Sequence, residues 1–536
     1  MSQNVEEVHR RSTKKKVWTQ KAVEVQEEEE KEGEELSERC VLRGIFKLGK
    51  KSHDVLLTKT RLSWTPIVPE SPTADVRGQK AHVLLLQDVY AVKVKRRRTA
   101  GQQPGTGPVL GVALLCCKRK GRRLEDDTVH LHNASSEHTH IWYNALKELL
   151  KGFSNRPKYL KVFINPSSHK KEAVHIYREH VAPLFKIADV RTDITVTEKK
   201  GHTLSVMMES VLDEFDGVVC VGGDGSVAEA CHSLVLRAQL DAGSPVKPVR
   251  AVLPLGIIPA GSTDIVSCSV HGVRDPVTAT LHILLGHLQQ VDMCSFSSLG
   301  QVVRYGFTAM FGFGGKSLAR SENNRWMPSS RRREYAVVKT LARLRPEDCQ
   351  LKFLPAKKLS GDPDLALQEQ NTELEDKDEE SWVTKDGLYL NIIITSIPCL
   401  NPHAPRGLAP DTRLSNGSAE LITVGDTSRS EFFKHLKRYN SSSGQFHFTF
   451  VSTHTVSAVK LCVCPQAHID DPETDSEDES RSSSIIHSDS QNFPWNIDGE
   501  LVEIAGKVTI RVHPSLITLY GEEVDQADET IPCNCF

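Results

Sequence analysis

Residues 217–230 read GVVCVGGDGSVAEA: a run of β-formers, a tight Gly-Gly-Asp-Gly turn, then helix formers. That order restricts the segment to a buried strand that turns sharply into a helix. Gly222, Gly223 and Gly225 leave the backbone bare, so N–H groups can approach a phosphate, and the helix start behind them favours negative charge. Asp224 sits at the mouth of the turn, where a carboxylate can hold Mg²⁺ or take a proton. The competing reading is an ordinary strand–helix turn with no ligand.

The same alternation runs on both sides of this turn. Strands are expected at YLKVFINP, ITVTE, VVCVGG and AVLPLGIIPAG, with helices at 170–187, 202–214, 226–238 and from Thr263 onward. Strand–loop–helix repetition of this kind predicts a doubly wound α/β nucleotide domain over 156–290. Its last loop, GIIPAGSTD at 256–264, offers Gly261 for close approach and the hydroxyls of Ser262 and Thr263 at a helix start. Taken alone, that loop would be read as a helix cap. Beside the first one, it lies where α/β sheets hold ligands.

After about residue 290 strands dominate, as in LYLNIIIT, AELITV, FHFTFV, VKLCVC and KVTIRVH, and predict a C-terminal β-sandwich over 291–520. WNIDGE at 495–500 is either a hairpin turn or a carboxylate, Asp498, closing on a magnesium nucleotide. Ahead of the α/β part, residues 37–152 read as several short strands closed by an amphipathic helix at 137–152. Residues 1–36, with Lys14–Lys16 and Glu27–Glu30, read as disordered, the acidic stretches 361–380 and 468–492 as solvated loops, and 521–536 as a tail.

Composition narrows the function classes. A net charge of −2 over 536 residues recruits neither nucleic acid nor membrane globally, so any such attraction is local and no specific nucleic acid is predicted. Thirteen scattered Cys and a charged N-terminus suggest a reducing compartment. No apolar run reaches the roughly 20 residues of a spanning helix.

In this order, Arg156-Pro157 before FINP, VTE with His202 after it, VCVGGDG, IIPAGSTD, APRGLAP at 404–410 and WNIDGE resemble the diacylglycerol-kinase catalytic superfamily, and more narrowly the ceramide kinases. The strands and closing helix of 37–152 resemble the pleckstrin-homology domain that precedes the catalytic part there. The resemblance covers residues 39–520. It implies an α/β nucleotide domain, a β-sandwich behind it, and transfer of the ATP γ-phosphate to a lipid hydroxyl. By the same resemblance Asp224 is the base. Gly222, Gly223 and Gly225 line the triphosphate, Thr197, Gly261, Ser262, Thr263 and Arg325 seat the nucleotide, and Asp498 acts near Mg²⁺.

The chain departs from that pattern at sites of function. Where ceramide kinases carry a Gly-Gly-Lys-Gly-like phosphate loop, Pro166 is followed by SSHKKEA, without glycine. Misplacing a phosphate by 1 Å can cost ~10²-fold in rate. Lys316 and Arg320 stand where those relatives carry acids that grip the lipid head. The clustered cysteines of the insertion near 360 are missing, and Asn416 and Glu420 replace aspartates. These departures predict a retained lipid-kinase scaffold with little or no ceramide kinase activity, acting by binding nucleotide, lipid or protein partners. The alternative is an active kinase of another lipid.

Two basic clusters, Lys93 with Lys95–Arg98 and Lys118–Lys120 with Arg122 and Arg123, suggest anionic membrane lipid or nuclear import, against a solvated loop. The expected locations are cytoplasm and nucleus, including the nucleolus, with peripheral attachment at ER or Golgi membranes. The histidines at 130, 132, 138 and 140 make a poor metal site, and Cys533-Asn-Cys535-Phe536 a poor prenylation box.

Overall fold

The computed structural model describes residues 39–67, 81–97, 107–168, 171–356, 381–401, 404–439, 444, 446–464 and 492–523. The N-terminal segment 1–36, the acidic loop 361–380, nearly all of 468–492, Arg98, His169, Lys170 and the terminal cysteines lie outside them. Apart from the turn at 121–123, residues up to 156 form one compact unit and those from 157 another.

The first unit is one sheet. Its strands are β1 (Leu42–Leu48), β2 (Lys51–Leu57), β3 (Arg61–Pro66), β4 (His82–Leu85), β5 (Val89–Arg96), β6 (Val109–Lys120) and β7 (Arg123–His132), in the order β4-β3-β2-β1-β7-β6-β5. Alternating apolar residues such as Val55, Leu57 and Leu62 turn inward, as period-2 patterning requires. Helix α1 (Ser136–Lys151) packs on β5 and β6. Ser135 caps it by accepting the His138 N–H, and Trp142 inserts edge-on against Phe46 with ring centroids 4.8 Å apart. The Arg156 guanidinium stays in this unit, donating to the carbonyls of Val89 and Gln87. The boundary therefore falls just after Arg156, not before it.

The second unit begins with β8 (Tyr159–Ile164), α2 (Ala173–Ile176), a π turn (Tyr177–Val181), α3 (Ala182–Ile187), β9 (Arg191–Val196) and α4 (His202–Glu209). Next come β10 (Gly217–Gly222), α5 (Asp224–Asp241), β11 (Leu255–Pro259), α6 (Ile265–His271) and α7 (Pro276–Leu285). The helix expected over 170–187 is thus continuous from Ala173 to Ile187 with one π turn inside it, and the helix after β10 starts at Asp224 itself. Strands β9, β8, β10 and β11 run parallel in that order. The chain leaves β8 to one side for β9 and returns to the other for β10. The switch point therefore lies between β8 and β10, where a crevice opens at the strand C-termini.

The remaining strands are β12 (Leu288–Ser298), β13 (Gln301–Gly306) and β14 (Thr308–Gly312), followed by helices α8 (Phe313–Asn323) and α9 (Ser329–Ala342). Strands β15 (Glu347–Pro355), β16 (Val383–Thr395) and β17 (Ala419–Gly425) precede helix α10 (Arg429–Arg438). Strands β18 (Val451–Val463), β19 (Asn492–Ile497), β20 (Glu500–Ala505) and β21 (Lys507–Tyr520) complete the unit. These strands do not separate into the two sheets of the expected sandwich. β16 and β18, each of 13 residues, are long enough to pair with β15 along one part and β17 along another. The four close a hydrogen-bonded ring around a core that includes Leu351, Ile392, Leu421 and Leu461. Through β21 the ladder joins β11 of the parallel sheet, Leu255 opposite Leu519.

Candidate functional site

A cavity of about 850 Å³ opens at the C-terminal ends of β8, β10 and β11. Thr197, Gly223, Asp224, Gly225, Gly261, Ser262, Thr263, Arg325 and Asp498 all line it, although the sequence spreads them over some 300 residues. Of the expected site residues only Gly222 does not.

The glycines of the turn have different duties. A Cβ on Gly222 would lie 2.7 Å from the Ser226 Cβ, and one on Gly261 would lie 2.5 Å from the Gly223 Cα. Both are therefore required for packing of protein on protein. Nothing lies within 4 Å of a Cβ on Gly225, which faces open space.

Asp224 is the first residue of α5, and its Oδ1 accepts the Val266 N–H at 3.3 Å. Burial, followed by the neighbouring Asp264 carboxylate, pushes its pKa up to about 7. Asp264 is buried in a left-handed conformation and braces the Gly261 turn. Its Oδ1 accepts the Gly261 N–H at 2.9 Å, its Oδ2 accepts Arg274 Nε at 2.6 Å, and Arg274 also donates to the Gly261 carbonyl. Sequence reasoning passed over Asp264 and Arg274. A helix-start aspartate was legible, but its return to Gly261 was not.

Asp498 and Gly499, with φ of 49° and 81°, make the two-residue turn between β19 and β20, as Asp-Gly does in hairpins. The Asp498 carboxylate also accepts the N–H groups of Phe307 and Thr308 at 2.9 and 2.8 Å, which pins the β13–β14 junction. Burial raises its pKa to about 6 against the pull of those two bonds. The hairpin reading and the cavity position thus coexist in one residue. Glu500 pairs with Arg304 at 2.5 Å and with Lys200, so the hairpin is tied to both β13 and the loop after β9.

In the loop after β8 three donors of the described residues are answered within the loop itself. Ser167 N–H goes to Asn165 Oδ1 at 3.0 Å, Ser168 N–H to the Asn165 carbonyl at 3.2 Å, and Lys171 N–H to the Ser168 carbonyl at 2.8 Å. Asn165 Nδ2 donates to Ser226 Oγ at 2.8 Å, and Ser168 is buried beside Gly222. The start of α4 is likewise filled, because Glu229 accepts the N–H groups of Gly201 and Thr203 at 3.2 and 2.9 Å. Thr197 Oγ1 donates to the Ile164 carbonyl at 3.4 Å.

On the opposite wall Arg325 pairs with Glu322, and Arg333 donates to Thr263 Oγ1 at 3.3 Å. Lys316 pairs with Glu347 at the start of β15 and is not among the residues lining this cavity. Of the histidines at 130–140, His138 packs against Phe46 and Trp142, and none of them belongs to a metal-type cluster among the described residues.

Residues 159–296 match the diacylglycerol kinase catalytic domain, and residues 307–536 the ceramide kinase C-terminal domain. The chain is 46% identical to the human ceramide kinase-like protein over 527 residues, 92% of each chain. The chain belongs to the ceramide kinase family. Human ceramide kinase is 33% identical over 72% of this chain and 78% of its own, and mouse ceramide kinase 30% over 85% and 92%. Membership in the ceramide kinase family means that the switch-point crevice and the WNIDGE hairpin belong to one lipid-kinase scaffold.

Proposed function

We propose that this ceramide kinase-family chain holds Mg·ATP in the cavity beside Asp224 but phosphorylates ceramide slowly or not at all, and acts chiefly through binding of nucleotide, lipid and protein partners. The observation that carries this reading is the loop after β8. The N–H groups of Ser167, Ser168 and Lys171 are engaged within the loop, where a triphosphate requires them bare.

The lining residues still fit a magnesium nucleotide. Asp224 and Asp498 are hard oxygen donors suited to Mg²⁺, while Ser262, Thr263 and Arg333 are suited to phosphate oxygens. When bound, the metal nucleotide supplies the phosphoryl group and neutralises its charge. Asp224, with a pKa near 7, is matched to accepting the proton of a lipid hydroxyl near neutral pH. The Asp264–Arg274 brace holds the Gly261 turn against Gly223. Slow turnover then follows from poor placement of the phosphate, not from loss of the base.

A second reading, an active kinase for another lipid hydroxyl, is favoured by the same near-neutral carboxyl of Asp224. Product formation separates them, and nucleotide binding does not. Binding to the native state raises the melting temperature by mass action, so Mg·ATP stabilises the chain in either case. Labelled ATP offered with ceramide, sphingoid bases and glycerolipids yields no Asp224-dependent product in the first reading, and a product lost in Asp224→Asn in the second. Turnover of ceramide at the rate of human ceramide kinase overturns the first reading.

The N-terminal unit, in this proposal, is a pleckstrin-homology-type module that meets anionic lipid through Lys93, Lys95 and Arg96 at the end of β5. Lys118 and Lys120 each pair with an acid on β7. Near a membrane each basic residue adds about 1 kcal/mol of attraction. The chain accordingly divides between cytoplasm, nucleus and internal membranes. Loss of membrane association after removal of 1–156, with Mg·ATP stabilisation retained, is the expected outcome.

A further inference from the structure

We propose that His282, His287 and Glu522 form a zinc site that fastens the end of β21 to the turn between α7 and β12. None of the three lines the cavity beside Asp224.

The site is built by a helix ending. At the C-terminus of α7 Gly286 adopts a left-handed conformation at φ 71°. Its N–H donates to the Ile283 carbonyl at 3.1 Å, and the His287 N–H to the His282 carbonyl at 3.1 Å. These are the two bonds of a Schellman motif, which brings the side chains five residues apart into contact, ordinarily as an apolar pair. Here both positions carry histidine, and their Nδ1 atoms lie 3.0 Å apart.

The third donor arrives along the sheet. Leu288 of β12 lies opposite Tyr520 of β21, and the Gly521 N–H donates to the His287 carbonyl at 2.9 Å. That pairing places Glu522 Oε1 3.1 Å from His287 Nδ1. The three donor atoms all lie within 4.8 Å of one another.

The spacing suits a tetrahedral ion. With zinc–ligand bonds of 2.0–2.1 Å, donors on a tetrahedron are on the order of 3.3 Å apart. Two of the three separations, 3.0 and 3.1 Å, need a few tenths of an ångström of opening, and the third is no more than 4.8 Å. Two imidazoles and one carboxylate suit a borderline ion such as Zn²⁺, whereas Ca²⁺ and Mg²⁺ prefer oxygen throughout. Water takes the fourth position.

The surroundings hold the first ligand in place. His282 is buried, and its ring stacks on that of His271 with centroids 5.3 Å apart and planes 13° apart. His271 Nε2 lies 3.4 Å from the Ile257 carbonyl and therefore carries the hydrogen, while its Nδ1 has no hydrogen-bond partner.

The test uses the full chain, stripped of metal with a chelator and titrated with Zn²⁺ by calorimetry, beside H287Q, E522Q and the double variant. The parent chain is expected to bind one more equivalent than the double variant. Each single change should weaken that equivalent at least on the order of 100-fold, the upper range for loss of a supporting group. Zn²⁺ should raise the melting temperature of the parent and not of the double variant, whose metal-free melting temperature matches the parent's. If H287Q folds poorly, E522Q alone decides, because Glu522 is half-exposed and its amide keeps the shape of the side chain. Equal stoichiometry, affinity and thermal response in parent and E522Q overturn the site.

Discussion

Gly223 and Gly261 meet back to back: a Cβ on either would lie no more than 3.0 Å from the Cα of the other. The two loops at the switch point therefore stack backbone on backbone. Neither position has room for a methyl group, and forced overpacking costs about 1–3 kcal/mol. G261A should lower the unfolding free energy by roughly that amount and also abolish stabilisation by Mg·ATP. G225A meets nothing within 4 Å and should leave stability nearly unchanged, while weakening the nucleotide response if phosphate approaches there. Denaturant unfolding with and without Mg·ATP distinguishes loop packing from ligand contact.

The raised pKa of Asp224 predicts how stability depends on pH. The folded chain keeps this carboxyl protonated up to about pH 7, whereas the unfolded chain releases the proton near pH 4. Between those values the folded state binds more protons, so stability falls as pH rises through the window. An asparagine is neutral throughout and escapes that loss. Asp224→Asn should be more stable than the parent at pH 8, by up to about 4 kcal/mol for a shift of roughly three units, with the gap narrowing toward pH 4. A gap that is constant with pH would mean that Asp224 titrates normally. Any phosphotransfer, which needs the base form, should rise with pH through 7.

The Asp264–Arg274 pair predicts a cost of a different kind. Asp264 is almost wholly buried, with 1% of its side chain exposed, and Arg274 is its charge partner. Removing one partner of a buried pair strands the other's charge and costs about 3–5 kcal/mol. Because Arg274 is 40% exposed, water can relieve part of this, and R274A should cost about 2–3 kcal/mol. R274K should recover only part, since an ammonium cannot reach both Asp264 Oδ2 and the Gly261 carbonyl as the guanidinium fork does. In the double variant D264N/R274M, whose buried site carries no charge, stability should exceed that of R274A.

The local elements of the site were legible in the sequence because short-range chemistry writes them. β-Formers before Gly222 gave β10 and Asp-Gly gave the hairpin at Asp498, whereas the helix expected from Thr263 starts at Ile265, with left-handed Asp264 before it and no side-chain cap bond. What was not legible depends on partners distant in the chain. The role of Asp498 at the β13–β14 junction needs Phe307 and Thr308, some 190 residues away. Lys316 drew attention for its sign, but its partner Glu347 could not be read from a local pattern. The ring of β15 to β18 was read as a sandwich because alternation reports which face of a strand is buried, and not which strand it pairs with. The histidines at 130–140 were weighed as a metal site and set aside, while the approach of His282 to His287 depends on a helix ending that no local pattern marked.

The loop after β8 separates two effects that a glycine there would combine. Lys171 is held at φ 65°, a conformation that costs a side-chain-bearing residue roughly 1–2 kcal/mol. Glycine would remove that strain and lose some of the gain to its freer unfolded chain, so K171G should stabilise by about 0.5–1 kcal/mol. The same change frees no donor, because the N–H of residue 171 still goes to the Ser168 carbonyl and that of Ser167 to Asn165. The response of the melting temperature to Mg·ATP should therefore stay as it was in K171G. Replacing 167–170 by a glycine-rich run removes the side chain of Ser168 packed beside Gly222 and lets the backbone turn outward, and there the Mg·ATP response should grow. If K171G alone strengthened nucleotide binding, strain rather than occupied donors would be the obstacle, and the reading of this loop would have to change.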